Sequence, residues 1–263
     1  MAAFVVVPQW QGSPSSRAMR LADGAAAIRA DLPAAATRDV PVPLEAGDEQ
    51  GTGIARFSSL QLVRERLRDA LGDADGPAIV IGGDCAVSVA SVAHVAGDDL
   101  ALIWFDAHPD LNSATTSPSG AFAGMALGSL IADGVIDAAR VVIAGARQWD
   151  AAEEEIAGEH GITSVDVVGI ADGESLADTV AATGATRVYI HIDLDVLDPA
   201  EFDGLLEPIP FGVAAADLVA AVRALVVRFP LAGATIASFA PESAERAVDD
   251  APTILRLIAA LRG

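Results

Sequence analysis

The chain contains no lysine: all 16 of its basic residues are arginine. That absence excludes Schiff-base chemistry, attachment of pyridoxal phosphate and a phosphate-loop lysine. Cysteine is nearly as scarce. The only one, Cys85, rules out an intramolecular disulfide and favours a reducing compartment. Aromatics are 5% of the 263 residues while hydrophobic residues are 52%, so the core must be aliphatic, as suits helices packed on a buried parallel sheet. Positive charge is short as well, with 16 basic against 37 acidic residues and a formal net charge of −21. Without a basic face, neither nucleic acid nor an anionic membrane is an expected partner, and most of the acid excess reads as solvated surface. Long hydrophobic runs are missing too. The most apolar stretch, "FGVAAADLVAAVRALVVRFP", is cut by Asp217, Arg223 and Arg228 and reads as a buried amphipathic helix. "MAAFVVVPQWQG" has no basic segment ahead of a signal-length apolar run, so the expected location is the cytoplasm.

What is present alternates. Strand-like runs fall at 3–8, 78–83, 100–105, 140–146, 161–168, 187–193 and 233–240. Helix-like patterns lie between most of them, at 55–72, 86–96, 121–132, 150–159, 174–182, 213–229 and 252–262. In the first of these helices Leu60, Val63, Leu67 and Leu71 share one face, with Arg64, Glu65, Arg66 and Arg68 off it. The alternation predicts an α/β fold with a mostly parallel sheet covered by helices on both faces. Residues 30–53, rich in Pro, Ala and Gly, read as an exposed connection, so the expectation is one domain over 1–263.

The polar residues of interest follow apolar runs: Asp84 and Cys85, then Asp106 to Asp110, then Arg147, then His191 to Asp198. In open α/β sheets those positions lie on the carboxyl edge of the strands, where ligands bind. "WFDAHPD" sets Asp106, His108 and Asp110 in the turn after a strand, a donor set suited to a divalent cation of the Mn, Fe or Zn type. Acidic turns after strands also occur without a metal. "HIDLDVLDP" repeats the arrangement with Asp193 and Asp195. Acidic ends on two buried strands carry a desolvation cost unless they are neutralised. Taken jointly they point to a two-metal centre that activates water for hydrolysis. Cys85 is open at this stage as packing filler, nucleophile or ligand. His191 faces the same side as Asp193 by strand alternation, as a hydrogen-bond partner for a metal-bound aspartate would. His94 and His160 read as ordinary helix residues, and "NSATTSPSG" (112–120) as a lid or a plain connection.

"GGDC", "WFDAHPD", "SPSGAFAGM" and "HIDLDVLDP", in that order from about residue 76 to 242, resemble the arginase/agmatinase/formiminoglutamase family, the ureohydrolases. The resemblance implies a three-layer α/β/α fold, a binuclear manganese centre and hydrolysis of a C–N bond in a small guanidino or formimino compound. It also implies homo-trimers or homo-hexamers. On these motifs Asp106 and Asp193 would bridge two ions, and His108 and Asp195 would complete one site. Asp110, also the expected catalytic carboxylate, would complete the other with Cys85. Asn112 and Ser119 match positions that contact the far end of the substrate. Asp150 and Glu153 fall near positions that help hold an amino group, and read equally as a helix-starting turn.

Three positions depart from the family pattern. Cys85 stands where the family has histidine; a thiolate is softer and shifts preference toward Zn²⁺ or Fe²⁺. The site with His108 is therefore expected to keep its metal better than the site with Cys85. Ala123 stands at the family's proton-shuttle histidine, a loss of general acid worth ~10²–10⁴ in rate that a weakly basic leaving group, as in an N-hydroxyarginine-type substrate, would not feel. Ser238 stands at the guanidinium-binding glutamate, and Glu242 follows the proline instead; either Glu242 reaches in or the substrate is not a guanidinium. Two readings follow: a metal-dependent hydrolase of linear amidines, or a family member without catalysis that serves binding or assembly.

Overall fold

The computed structural model describes residues 3–74 and 76–263. Its strands are β1 (Ala3–Val7), β2 (Thr37–Asp39), β3 (Ala78–Gly82), β4 (Leu100–Phe105), β5 (Val141–Ala144), β6 (Thr163–Val165), β7 (Arg187–Asp193) and β8 (Leu231–Ala237). They form one eight-stranded sheet in the order β2-β1-β3-β8-β7-β4-β5-β6, parallel at every pairing. The helices are α1 (Met19–Asp31), α2 (Phe57–Gly72), α3 (Val87–Val95), α4 (Ala126–Ala132), α5 (Ala151–His160), α6 (Val167–Ala171), α7 (Gly173–Ala182), α8 (Ala215–Arg228) and α9 (Ala244–Leu261).

The central strands are aliphatic on both faces because both are covered. In β4, Ala101, Ile103 and Phe105 pack with residues of α1, α7, α8 and α9, while Leu100, Leu102 and Trp104 pack with α3 and α4. The result is the expected α/β/α sandwich.

The sequence reading misses α1 and β2. The segment "MRLADGAAAIRAD" is poor in large apolar residues, and β2 is a three-residue, largely exposed edge strand. The run at 161–168 is split: β6 ends at Val165, and Asp166 caps α6 through Gly169 N. α9 starts eight residues before the expected position, at Ala244, with Pro252 inside it, because Ser243 caps the helix by accepting from Arg246 N.

Chain order and strand order diverge at the middle of the sheet. After β3 the chain crosses over β8 and β7 to β4, then returns to fill the gap. The carboxyl ends of β3, β8, β7 and β4 are therefore side by side, with connections leaving in opposite directions, which opens a crevice at that edge. The turn after β3 needs glycine for lack of space: a Cβ on Gly83 would lie 1.5 Å from the Gln9 carbonyl oxygen. That close approach also brings Gln9 and Gly12 onto Asp84, which accepts from Gln9 Nε2, Gly12 N and Ala86 N. Gly83→Ala is expected to lower unfolding stability by ~3 kcal/mol or more, the upper range of forced overpacking, measurable by urea denaturation.

Candidate metal centre

The crevice holds a cleft of about 350 Å³ whose floor carries Cys85, Asp106, His108, Asp110, Asp193, Asp195 and Ser238. Each arrives from the end of one of the four adjacent strands. Cys85 comes from the turn after β3, Ser238 from the end of β8, Asp193 and Asp195 from β7, and the remaining three from the turn after β4. Asp110 and Ser238 adopt left-handed backbone, at φ 52° and 67°, which turns the chain sharply as it leaves the sheet.

All four aspartates are buried, and backbone amides hold most of them. Asp106 Oδ1 accepts from His108 N at 2.7 Å and Asp195 Oδ1 from Ala107 N at 3.0 Å, while Asp193 Oδ1 accepts from Asp195 N at 2.9 Å. Trp104 Nε1 donates to Asp106 Oδ2 at 3.1 Å. His108 Nδ1 lies 3.0 Å from Asp195 Oδ2 and 3.4 Å from Asp106 Oδ1. Cys85 Sγ donates to Asp193 Oδ2 at 2.8 Å, and Ser238 Oγ donates to the same oxygen.

The electrostatics follow from burial and crowding. Burial, then the neighbouring carboxylates, pushes Asp106 well above the ordinary carboxylate range. Burial and Asp195 push Asp193 up to about 7. Burial also lifts Asp110, outweighing the pull of His108. Asp195 moves the other way, because its bond to His108 and the charge there outweigh burial. Burial depresses His108, but Asp106 and Asp195 overcome it and push the imidazole up to about 12. Burial, followed by Asp193, Asp110 and Asp106, drives the Cys85 thiol upward. So many carboxylates around one imidazolium make a site short of positive charge.

Two sets of donors lie within 4.8 Å of one another: Cys85, Asp106, His191 and Asp193, and Asp106, His108 and Asp195. His108 Nε2, His191 Nε2 and Asp110 Oδ2 are buried without a hydrogen-bond partner. Converging carboxylates, unpartnered imidazole nitrogens and a thiol fit a divalent cation. Asp110 lines the same cleft but belongs to neither close set.

The outer wall carries the residues expected near substrate. Asn112 Nδ2 donates to Asp150 Oδ2 at 2.8 Å, and Ser119 lies on the 112–120 loop at the cleft rim, accepting from Ala121 N. Asp150 and Glu153 form a reciprocal capping box at the start of α5, and Glu153 also accepts from Leu111 N. They are thus structural and cleft-lining at once. Ala123 is on the cleft wall, presenting only a methyl group. Glu242 does not reach in: it is exposed and pairs with Arg20 at 3.6 Å. His94 and His160 are exposed helix residues.

The sequence profile of the arginase family matches residues 11–261. The chain belongs to the arginase family. An arginase of Staphylococcus aureus strain COL is 28% identical over 190 residues, 63% of this chain and 63% of that protein, so the match spans somewhat less than two thirds of the relative. Among solved structures, an Entamoeba histolytica arginase in complex with L-ornithine superposes with a TM-score of 0.87 at 19% identity, over 100% of this chain and 98% of that one. A formimidoylglutamase from Bacillus subtilis superposes with a TM-score of 0.79 at 19% identity, over 99% of this chain and 87% of that one. Both likenesses establish the arginase-like fold.

Arg147, visible in sequence only as a polar residue after a strand, proves to be the clamp of the family's last acidic motif. Its guanidinium donates to the carbonyls of Gly145, Asp195, Val196, Leu197, Ile209 and Pro210, the shortest at 2.6 Å to Ile209. No motif marks such a role, because every acceptor is backbone. Arg147→Met should cost ~2–4 kcal/mol by leaving carbonyls unpaired, and should weaken metal binding by loosening the segment that carries Asp195. Denaturant unfolding and metal titration would measure the two effects, and unchanged values in both would refute the clamp.

Proposed function

We propose that this arginase-family protein is a metal-dependent hydrolase that cleaves a C–N bond in a small amidino, guanidino or imino compound. The observation that carries the reading is the convergence of Cys85, Asp106, His108, Asp110, Asp193 and Asp195 on the floor of one cleft at the carboxyl edge of the sheet. These six would hold one or two divalent ions, manganese by family resemblance, with zinc or iron favoured where Cys85 contributes. When bound, such ions supply Lewis acidity and an activated water at neutral pH.

The chain's own residues restrict the substrate. Among the described residues no arginine lines the cleft, while Asp150, Glu153 and Glu207 do, which disfavours an anionic reactant. Ala123 offers no proton to a departing amine, so a leaving group of low basicity fits best. Ser238 binds Asp193 rather than projecting a carboxylate, and Glu242 sits at the surface, which removes the family's guanidinium partner from that wall. An N-hydroxyguanidine that departs through its hydroxylated nitrogen satisfies the leaving-group condition, and an imino compound, which carries no guanidinium, satisfies the other. Asn112 and Ser119 line the cleft and would contact the remainder of the molecule. A cytoplasmic homo-trimer or homo-hexamer is the assembly we infer from the family. The same losses at Ala123 and Ser238 support a second reading, a binding or assembly protein that retains metal without turnover.

Elemental analysis of the purified protein, followed by ammonia and urea assays with Mn²⁺, Zn²⁺, Fe²⁺ and Ni²⁺ on guanidino, N-hydroxyguanidino and formimino compounds, separates these readings. Bound metal with turnover of a weakly basic substrate is the expected result. Metal without turnover on any compound favours the binding protein, and no metal uptake sinks both. Ala123→His should raise turnover of substrates with basic leaving groups by up to ~10², with little gain for N-hydroxylated ones. Cys85→His should tighten Mn²⁺ binding; an unchanged affinity would remove Cys85 from the site.

A further inference from the structure

The side chain of His191 belongs to one of the close donor sets but is not among the six ligands proposed above. It lies on β7, fully buried, two residues before Asp193 and on the same face of the strand. Its ring stacks on Trp104 with centroids 3.6 Å apart, which fixes its plane. Its Nδ1 meets Ser88 Oγ of α3 at 2.7 Å. Its Nε2 has no hydrogen-bond partner and lies 4.0 Å from Asp106 Oδ2. A fully buried imidazole nitrogen left unsatisfied costs free energy unless something occupies the position in front of it.

Resting on the metal-centre reading above, we infer that His191 is itself a metal ligand, completing a four-donor site with Cys85 Sγ and carboxylate oxygens of Asp106 and Asp193. These four donors already lie within 4.8 Å of one another, and all four residues are buried. The Ser88 contact supplies the usual support for a metal-binding imidazole: with the proton on Nδ1 and Ser88 accepting it, the Nε2 lone pair faces the site. A donor set of one sulfur, one nitrogen and two oxygens is softer than an all-carboxylate and imidazole set and selects Zn²⁺ or Fe²⁺ over Mn²⁺. Four protein donors also close the coordination of a tetrahedral ion, as in sites that hold rather than react. The neighbouring set of Asp106, His108 and Asp195 has three donors and keeps a position open for substrate or water. The two sites are thereby unequal, sharing Asp106, and the inner one takes a soft ion first. This reverses, for zinc, the order expected from Cys85 alone.

The test uses the full-length protein labelled with ¹⁵N at histidine and titrated with Zn²⁺ alone, read in long-range ¹H–¹⁵N spectra. Of the four histidines, His94 and His160 are exposed and should stay put, while the Nε2 resonance of His191 and the Nδ1 resonance of His108, the nitrogen that faces Asp106 and Asp195, should move, that of His191 within the first equivalent. Movement of His108 alone overturns the inference and leaves the metal centre standing; movement of neither overturns both. Co²⁺ at one equivalent should give the near-ultraviolet thiolate charge-transfer band of Cys85, and its absence counts against the four-donor site. His191→Gln should weaken zinc by more than the ~10–100-fold that follows from losing a group that only orients a ligand. If that variant does not fold, the spectra of the unaltered protein decide.

Discussion

Asp106, Asp110, Asp193 and Asp195 are four carboxylates forced together out of water, and their mutual repulsion is the constraint to which the surrounding structure answers. Everything near them donates. Backbone amides at Ala107, His108 and Asp195, the Trp104 indole, the Ser238 hydroxyl, the Cys85 thiol and the His108 imidazole all point hydrogens at carboxylate oxygens. Only His108 among these brings a full positive charge, and it sits against Asp106 and Asp195. Burial first, and the neighbouring carboxylates after it, hold Asp106 and Asp193 above their ordinary range. A cluster of this kind is unfavourable for a chain that needs only to fold, because buried charges are weak contributors to stability. Its presence in an otherwise aliphatic interior fits a site for a divalent cation.

The same constraint explains why the scaffold is rigid where it is. Asp84, next to Cys85, ties the glycine turn to the Gln9–Gly12 segment, and Arg147, in the turn after β5, ties the segment after β7 to that turn. Neither touches the carboxylate cluster with its own charge. Both fix backbone from which ligand side chains project, so that donors reach one point without conformational cost at the moment of binding.

What could be read from sequence was whatever is carried by a run or a motif. Six strands, β1, β3, β4, β5, β7 and β8, are mostly apolar stretches, and the acidic ends of β4 and β7 stand out because carboxylates at the end of a buried strand carry a desolvation cost unless they are neutralised. α1 was invisible because its buried face is only Leu21, Gly24, Ala25 and Ile28, too weak a stripe to show a period. The site was legible as composition but not as connectivity. His191 takes its meaning from Ser88 and Trp104, which lie on other elements, and Arg147 from six carbonyls that leave no trace in residue identity. Asp150 and Glu153 show the converse. Their spacing is a helix-capping signal and a plausible substrate contact alike, and only the bonds to Asn112 and Leu111 show that one arrangement serves the fold while lining the cleft.

Under the proposed reaction, the division between floor and mouth determines how a substrate is chosen. On the floor, Ser238 and Cys85 both donate to Asp193 Oδ2, and neither supplies the carboxylate that would pair with a substrate cation. At the mouth, Asp150 is engaged by Asn112 and by the first turn of α5, and Glu153 by Leu111 and Asp150. Glu207 differs: it is an exposed carboxylate on the loop after β7 that lines the same cleft. Charge on a substrate would then be recognised at the mouth, through Glu207 and the acidic rim, while the floor acts on the carbon without testing for a guanidinium. A family fold that keeps the carboxylates that would hold ions, yet has alanine and serine where a proton donor and a guanidinium partner are expected, would suit an electrophile that needs neither.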